Sequence, residues 1–359
     1  MKKYNDIIFH SGNCLNNKKP FSRGCSRCIE NCPHNAINKK KEINLQKCTE
    51  CGVCTAVCPS DGFTYKDMKS FQRYLFNSQE IIVNCPAAQP LGYEIPCLGM
   101  LDNDAWTTLL LLTEEKPVKI FTGDCSNCQD KLAGLAVKSI LAEINQQWPN
   151  HPTVHIEDLP AEEDSAEPLN SNPIKMADNR SRGSLREQGR DQLKMLFPAI
   201  QAEETYDIPV TRQWLKGILE QNSEKKVPYY ALVADDKCTS CGVCSKICPQ
   251  NALHQVNEEN RHRLVYEPLK CVQCGRCAET CVPKALYFNF FNFDYKYLTG
   301  KILLIEPQVT YCKQCGKQLL YRNEDSLCPA CASIGTVPKQ MMQAEAGNSK
   351  NVISKGDAL

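Results

Sequence analysis

Long apolar runs are missing from this 359-residue chain. Runs such as Leu109 to Leu112 are far too short to cross a bilayer, which takes about 20 apolar residues. Met1 to His10 hold two lysines but no useful apolar stretch, so no secretory signal is expected. Excess charge of either sign is missing too, the net charge being +1. Bulk electrostatics therefore point to neither nucleic acid nor membrane as partner. No Walker motif occurs, and no G-x-G-x-x-G follows a strand, so no nucleotide or flavin fold is expected.

Cysteine is what the chain has in quantity, 24 residues in all. Such density first suggests a secreted disulfide scaffold, but the spacing argues otherwise. Most of the thiols stand in C-x-x-C runs, which read as metal sites in a reducing, cytoplasmic compartment. They come in patches. Residues 14–58 hold eight and residues 85–128 four. None occurs over 129–237, eight more lie in 238–281, and four in 312–331. Lys47-Cys-Thr-Glu-Cys-Gly-Val-Cys and Lys237-Cys-Thr-Ser-Cys-Gly-Val-Cys repeat one another, so a whole module is duplicated.

The second copy is the more regular. Cys238-x2-Cys241-x2-Cys244-x3-Cys248-Pro249 precedes Cys271-x2-Cys274-x2-Cys277-x3-Cys281. A [4Fe–4S] cube needs four converging thiolates. Each C-x2-C-x2-C loop wraps three around one cube, and the fourth cysteine of the run reaches the other. The expected sets are Cys238, Cys241, Cys244 with Cys281, and Cys271, Cys274, Cys277 with Cys248. Gly242 and Gly275 can take positive φ, which lets backbone N–H groups approach the sulfurs. These motifs resemble the bacterial double-cluster ferredoxin family over about 50 residues. One departure is Val282 where proline usually follows, with Pro283 next. Zinc in place of the cubes is the other chemistry open to eight such thiols.

In the first copy Cys48, Cys51, Cys54 and Cys58-Pro59 match fully. Upstream stand Cys25-x2-Cys28-x3-Cys32-Pro33, with Ser22 where a further cysteine belongs and Ser26 where glycine belongs. Either this cluster is a [3Fe–4S] form or another residue supplies the ligand. Cys14 has no other obvious use and is assigned that place. The expected sets are Cys14, Cys25, Cys28 with Cys58, and Cys48, Cys51, Cys54 with Cys32.

Between the copies the pattern changes. Ile81-Ile-Val, Val118 to Phe121 and Val154-His-Ile read as strands. Residues 103–113 and Gln129 to Asn145 read as helices, the second with Leu132, Leu135, Ala136, Ile140 and Leu141 near helical spacing. Alternation of this kind predicts a small α/β unit. Cys85, Cys97 and Cys125-x2-Cys128 fall at strand ends and loops, and the carboxyl ends of such a sheet share one crevice. Pro96-Cys97-Leu-Gly99 and Gly123-Asp-Cys125-x2-Cys128 resemble the delta subunit of methyl-viologen-reducing hydrogenase, which also occurs fused to heterodisulfide reductase components. The likeness covers about 75 residues. It implies a further cluster, [2Fe–2S] or [4Fe–4S], and electron passage between larger redox subunits. Buried structural cysteines and a Cys125–Cys128 dithiol pair are the alternatives.

Cys312-x2-Cys315 and Cys328-x2-Cys331 read as two knuckles of a zinc ribbon, with Leu319 to Tyr321 as the intervening strand. A rubredoxin-like iron uses the same ligands. Arg182, Arg186, Arg190 and Lys194 would line one helix face, either solvated or a dock for an acidic redox partner.

The fold class expected is an α+β multidomain protein. Residues 1–76 form an N-terminal dicluster module, and 77–160 a small α/β domain built around four cysteines. Residues 161–228 are a linker and helical segment, and 229–300 a C-terminal dicluster module. Residues 301–336 are a zinc-ribbon-like element, and 337–359 a disordered tail. The expected function is a multi-cluster electron-transfer protein in an anaerobic metabolism: a polyferredoxin, or a subunit of a larger oxidoreductase that supplies its donor and acceptor. Peripheral association with a membrane complex is compatible with this. The rivals are an enzyme component that uses the middle cysteines and a metal-stabilised scaffold without redox function.

Overall fold

The computed structural model describes residues 6–18, 24–161, 208–258, 261–307, 310–319, 327, 328 and 330–332. The expected linker beyond residue 161, the basic stripe from Arg182 to Lys194, the position of Ser22 and the polar tail lie outside the described residues.

Ile7–Phe9 (β1) pairs antiparallel with Phe63–Tyr65 (β2) and closes the first module. Arg27–Glu30 (α1) and Val53–Ala56 (α2) lie between them. Ile7, Cys28, Ile37 and Phe63 make its small core. A core of that size leans on something beyond apolar burial, and bound metal is the usual supplement.

Met68–Asn77 (α3) leads out of this module. Its Met68, Phe71 and Leu75 recur at helical spacing and face inward. The Lys116 ammonium donates to the carbonyls of Leu75 (2.7 Å) and Ser78 (2.9 Å) and so caps the helix C-terminus.

The middle unit follows. Its strands are Ile81–Asn84 (β3), Tyr93–Glu94 (β4), Val118–Thr122 (β5) and His155–Asp158 (β6), all parallel in the order β4-β3-β5-β6. Asn103–Leu112 (α4) and Lys131–Gln147 (α5) are its helices. The Asp102 carboxylate caps α4 by accepting from Ala105 N at 2.9 Å. Every residue from Ala105 to Leu112 is buried, because α4 is covered on more than one side.

The apolar stripe expected on α5 is only partly right: Ile140 and Leu141 pack against the core, but its first two leucines face out. Leu132 and Leu135 are 51% and 58% exposed, while Ala133, Val137 and Ile144 point inward. The reason is a close approach: a Cβ on Gly99 would come within 2.8 Å of the Ala133 methyl. Only a residue as small as alanine fits there, so packing overrides side-chain size. The two-residue strand β4 carried no periodic signal.

Val210–Gln221 (α6) continues the core. Few apolar positions are expected in this segment, yet Trp214, Leu215, Ile218 and Leu219 are buried. Trp214 meets Phe71 edge to face, with centroids 5.6 Å apart. Helix α6 packs on α4, and one core runs through both into the second module.

In that module Val227–Ala234 (β7) pairs antiparallel with Leu286–Phe293 (β10) over eight positions. Val243–Ile247 (α7) and Arg276–Thr280 (α8) take the places of α1 and α2 in chain order. The longer interval between Cys248 and Cys271 holds a hairpin, Leu253–Glu258 (β8) and Arg261–Tyr266 (β9). In the first module only an Ile37–Ile43 bridge stands there. Tyr295–Thr299 (α9) leads to Ile302–Ile305 (β11), which joins β9. Thr310–Tyr311 (β12) and Gln318–Leu319 (β13) form a last small ladder. Among the described residues, no helix is long and apolar enough to cross a membrane.

Candidate metal centres

The cysteine loops share one backbone pattern. Gly52, Gly242 and Gly275 take φ of 76°, 75° and 79° and open α2, α7 and α8. At Gly52 a side chain would also strike Met100, whose Cβ would lie 2.5 Å away. Glu50, Ser240 and Gln273, each two residues past the first cysteine of a run, take positive φ as well. So do Asn35, Asp61, Asn251 and Lys284, each three past the last. These turns aim backbone N–H groups at sulfur. Ala36, Gly62, Ala252 and Ala285 donate to the sulfurs of Cys32, Cys58, Cys248 and Cys281 at 3.0–3.3 Å. Such donors favour charge on a thiolate. The loop from Cys25 lacks the pattern: Ser26 sits at φ −120°.

Cys14, Cys25, Cys28 and Cys58 line one small cavity with Leu15 and Phe63. Cys32, Cys48, Cys51 and Cys54 line a second. Cys248, Cys271, Cys274 and Cys277 line a third. Cys238 has Cys281 and Cys241 near it, and Cys244 has Cys238 and Cys241, so the fourth set lies in one neighbourhood. Burial is the main force on these thiols. It pushes Cys51 and Cys271 up to about 11 and Cys244 up to about 12. A buried thiol resists ionising alone, and a bound metal would supply the compensating charge and take the proton's place.

In the middle unit, Cys85 directly follows β3, Cys97 stands three residues after β4 and Cys125 three after β5, all at carboxyl ends of parallel strands. Burial raises Cys97 to about 12, partly offset by the Gly99 N–H, with Cys51, Asp130 and Cys85 close enough to add to the rise. Cys125 is raised by burial, and its neighbours include Cys85 and Cys128. Cys85, Cys97 and Cys125 therefore stand at one end of the sheet, with Cys128 near Cys125. Asp130 joins them to the first module. Its Oδ1 accepts from the Thr49 hydroxyl at 2.6 Å and lies 2.7 Å from His34 Nε2. Cys51, Val53, Ala133 and Cys97 pack together across the same joint.

Near the C-terminus, the sulfurs of Cys312, Cys315, Cys328 and Cys331 all lie within 4.8 Å of one another. Cys315 and Cys328 are 3.7 Å apart. A tetrahedron with Zn–S of about 2.3 Å has edges of about 3.8 Å. Backbone donors from Cys328 and Cys315 draw Cys312 down to about 6. Strand β13 ends at Leu319, and residues 320 and 321 of the expected strand lie outside the described residues.

The two modules also touch. Arg276 Nη2 donates to Leu15 O at 2.7 Å, Lys18 reaches the Gln250 amide, and Arg27 Nη2 meets Gln273 O at 3.5 Å. The cavity of Cys14 thus abuts the cavity of Cys271.

Comparison with known proteins bears on the chemistry. The family model of the 4Fe-4S dicluster domain matches residues 23–62 and 237–285. The chain carries two 4Fe-4S dicluster domains. Together the matches span about a quarter of the sequence, and the middle and last four cysteines lie outside them. A stretch of 39 residues is 46% identical to part of one subunit of the ion-translocating oxidoreductase complex of Methanosarcina acetivorans. It covers 10% of this chain and 15% of that protein. An iron–sulfur electron-transfer role follows from the dicluster domains, whose cofactors are one-electron carriers.

Sequence reasoning missed the polar groups that seat the dicluster domains. Asp130 offered a signal, standing two residues after Cys128. Arg212 and Arg276 offered none. Arg212 is buried on α6, 2.9 Å from Asp104 Oδ2, and its guanidinium also donates to Cys271 O and lies 5.4 Å from the centre of the Tyr229 ring.

Proposed function

We propose that the chain conducts electrons along five cluster sites in series. The order is the set of Cys238, then that of Cys271, then Cys14, then Cys32, then the middle four. What supports this reading is that residues of each proposed site lie near residues of the next. Cys277 has Cys244 near it within the second dicluster domain. Arg276 and Lys18 bridge to the first. Cys54 has Cys28 as a neighbour, and Cys51 packs with Cys97. In this reading Cys14 is the fourth ligand of its cube. Cys85, Cys97, Cys125 and Cys128 hold a further [2Fe–2S] or [4Fe–4S] cluster, as the resemblance to the hydrogenase delta subunit implies. Cys312, Cys315, Cys328 and Cys331 hold zinc in a structural ribbon.

A protein of this kind sets potentials and distances while the clusters do the chemistry. With the two ends of the series on different domains, the role is a subunit or polyferredoxin linking donor and acceptor proteins of a larger oxidoreductase. Twenty-four unbridged thiols fit a reducing compartment such as the cytoplasm. The test is electron paramagnetic resonance of the fully reduced chain, prepared without oxygen. Neighbouring reduced clusters should give broad, spin-coupled signals, and Cys241→Ser should sharpen part of them. Isolated, uncoupled signals would contradict a series.

A further inference from the structure

A cleft of about 430 Å³ lies where the two dicluster domains meet α4, α5 and α6. Small-molecule sites run from about 300 to 1,000 Å³ and concentrate at domain junctions. Electron flow through the five cluster sites makes no use of this space. Cys58 lines it from the first domain, and Val272 and Gln273 line it from the second. Cys58 belongs to one proposed cluster, and the other two residues sit inside the Cys271–Cys274 loop of the next. An occupant would therefore rest against the ligand loops of two clusters at once.

One wall is aromatic. Tyr230 and Phe290 pair across β7 and β10 with centroids 4.6 Å apart, and they stay 38% and 40% exposed. The Gln273 amide donates to Tyr230 O at 2.7 Å and ties this wall to the cluster loop. Arg27 brings a cation to the same cleft, its Nη2 3.5 Å from Gln273 O. The acidic groups that also face the cleft are engaged: Asp104 by Arg212, Asp102 by Thr211, Glu143 by Gln147.

We propose that this cleft binds a planar, redox-active aromatic ring with an anionic tail, the ring against Tyr230 and Phe290 and the tail at Arg27. Aromatic faces favour stacked or edge contacts with such rings. Guanidinium groups match phosphate geometry. The electron count fits the place. Clusters held by the two adjoining cysteine sets would each supply one electron. The ring would take those two electrons with two protons from water, leaving hydroxide, and become its dihydro form. The proposal rests on the series of clusters above and gives that series a branch at its middle.

The test titrates the full, iron-loaded chain with FMN and follows flavin fluorescence. Saturable quenching is expected, with riboflavin, which lacks the phosphate, binding more weakly. Tyr230→Ala and Phe290→Leu should each weaken FMN binding about tenfold, the size of one lost stacking partner. Tyr287→Ala, on the same strand but outside the cleft, should leave it unchanged. Iron content and visible absorption of each variant are measured in parallel. Absence of quenching at millimolar FMN with full iron would overturn the cleft proposal, as would quenching that ignores both cleft variants. Loss of iron in the unmutated chain would instead overturn the cluster series.

Discussion

Arg212 gives the sharpest handle on how the protein sets a potential. Its buried guanidinium donates to the carbonyl of Cys271, a proposed cluster ligand, and pairs with Asp104 at 2.9 Å. The cation also draws the Cys271 thiol downward against burial. Reducing a cluster adds one negative charge, so a nearby cation favours the reduced state. Two unit charges about 7 Å apart in an effective dielectric of about 20 interact by about 2.4 kcal/mol. For one electron, about 1.4 kcal/mol corresponds to about 59 mV, so the full effect is about 100 mV. Arg212→Gln should therefore lower the potential of this one cluster by about 50–100 mV. The double change Arg212→Gln with Asp104→Asn should lower it less, because it also removes the opposing carboxylate. The assay is a potentiometric titration followed by electron paramagnetic resonance, without oxygen. A potential that stays within about 20 mV of the parent would refute the reasoning. Equal shifts in all clusters would refute it too, since they would mark a general loosening.

Three further outcomes follow from the same contacts. Cys14→Ala should leave a three-iron cluster in place of a cube, seen as loss of one iron and a new signal in the oxidised state. An unchanged spectrum would remove Cys14 from the ligand set. Cys97→Ser in the full chain should weaken the visible absorption of the middle site and leave both dicluster domains loaded; unaltered absorption would support a dithiol or structural role there. Trp214→Ala removes the largest buried side chain of α6 and should cost about 3–5 kcal/mol of local stability, read as lost hydrogen-exchange protection in α6 and α4.

The dicluster domains were legible because their chemistry is local. A C-x2-C-x2-C loop must curl around one cube, and the glycine at its fifth position opens the following helix. Helix α4 and strands β3 and β5 were legible from periodicity and, for α4, from its acidic first turn; α3 was not among the expected helices. The exposure of Leu132 and Leu135 on α5 was not legible, since Gly99 admits only Ala133 and contact geometry does not appear in residue spacing. Helix α6 falls in the segment read as helical, but its burial was hidden: its apolar face is short and lies beside a buried arginine, which reads as a solvated position in sequence. The joint of Asp130 with Thr49 and His34 links residues 81 and 96 positions apart, and no local pattern carries such a pairing.

Metal and sulfide analysis of the chain purified without oxygen tests the central claim most directly. Four cubes require about 16 irons with matching acid-labile sulfide, and the middle site adds roughly two to four more. The last four cysteines add about one zinc. An iron count of about 18 to 20, with zinc near one, is the expected result. Fewer than about 12 irons in fully reconstituted protein would contradict a series of clusters running through both dicluster domains.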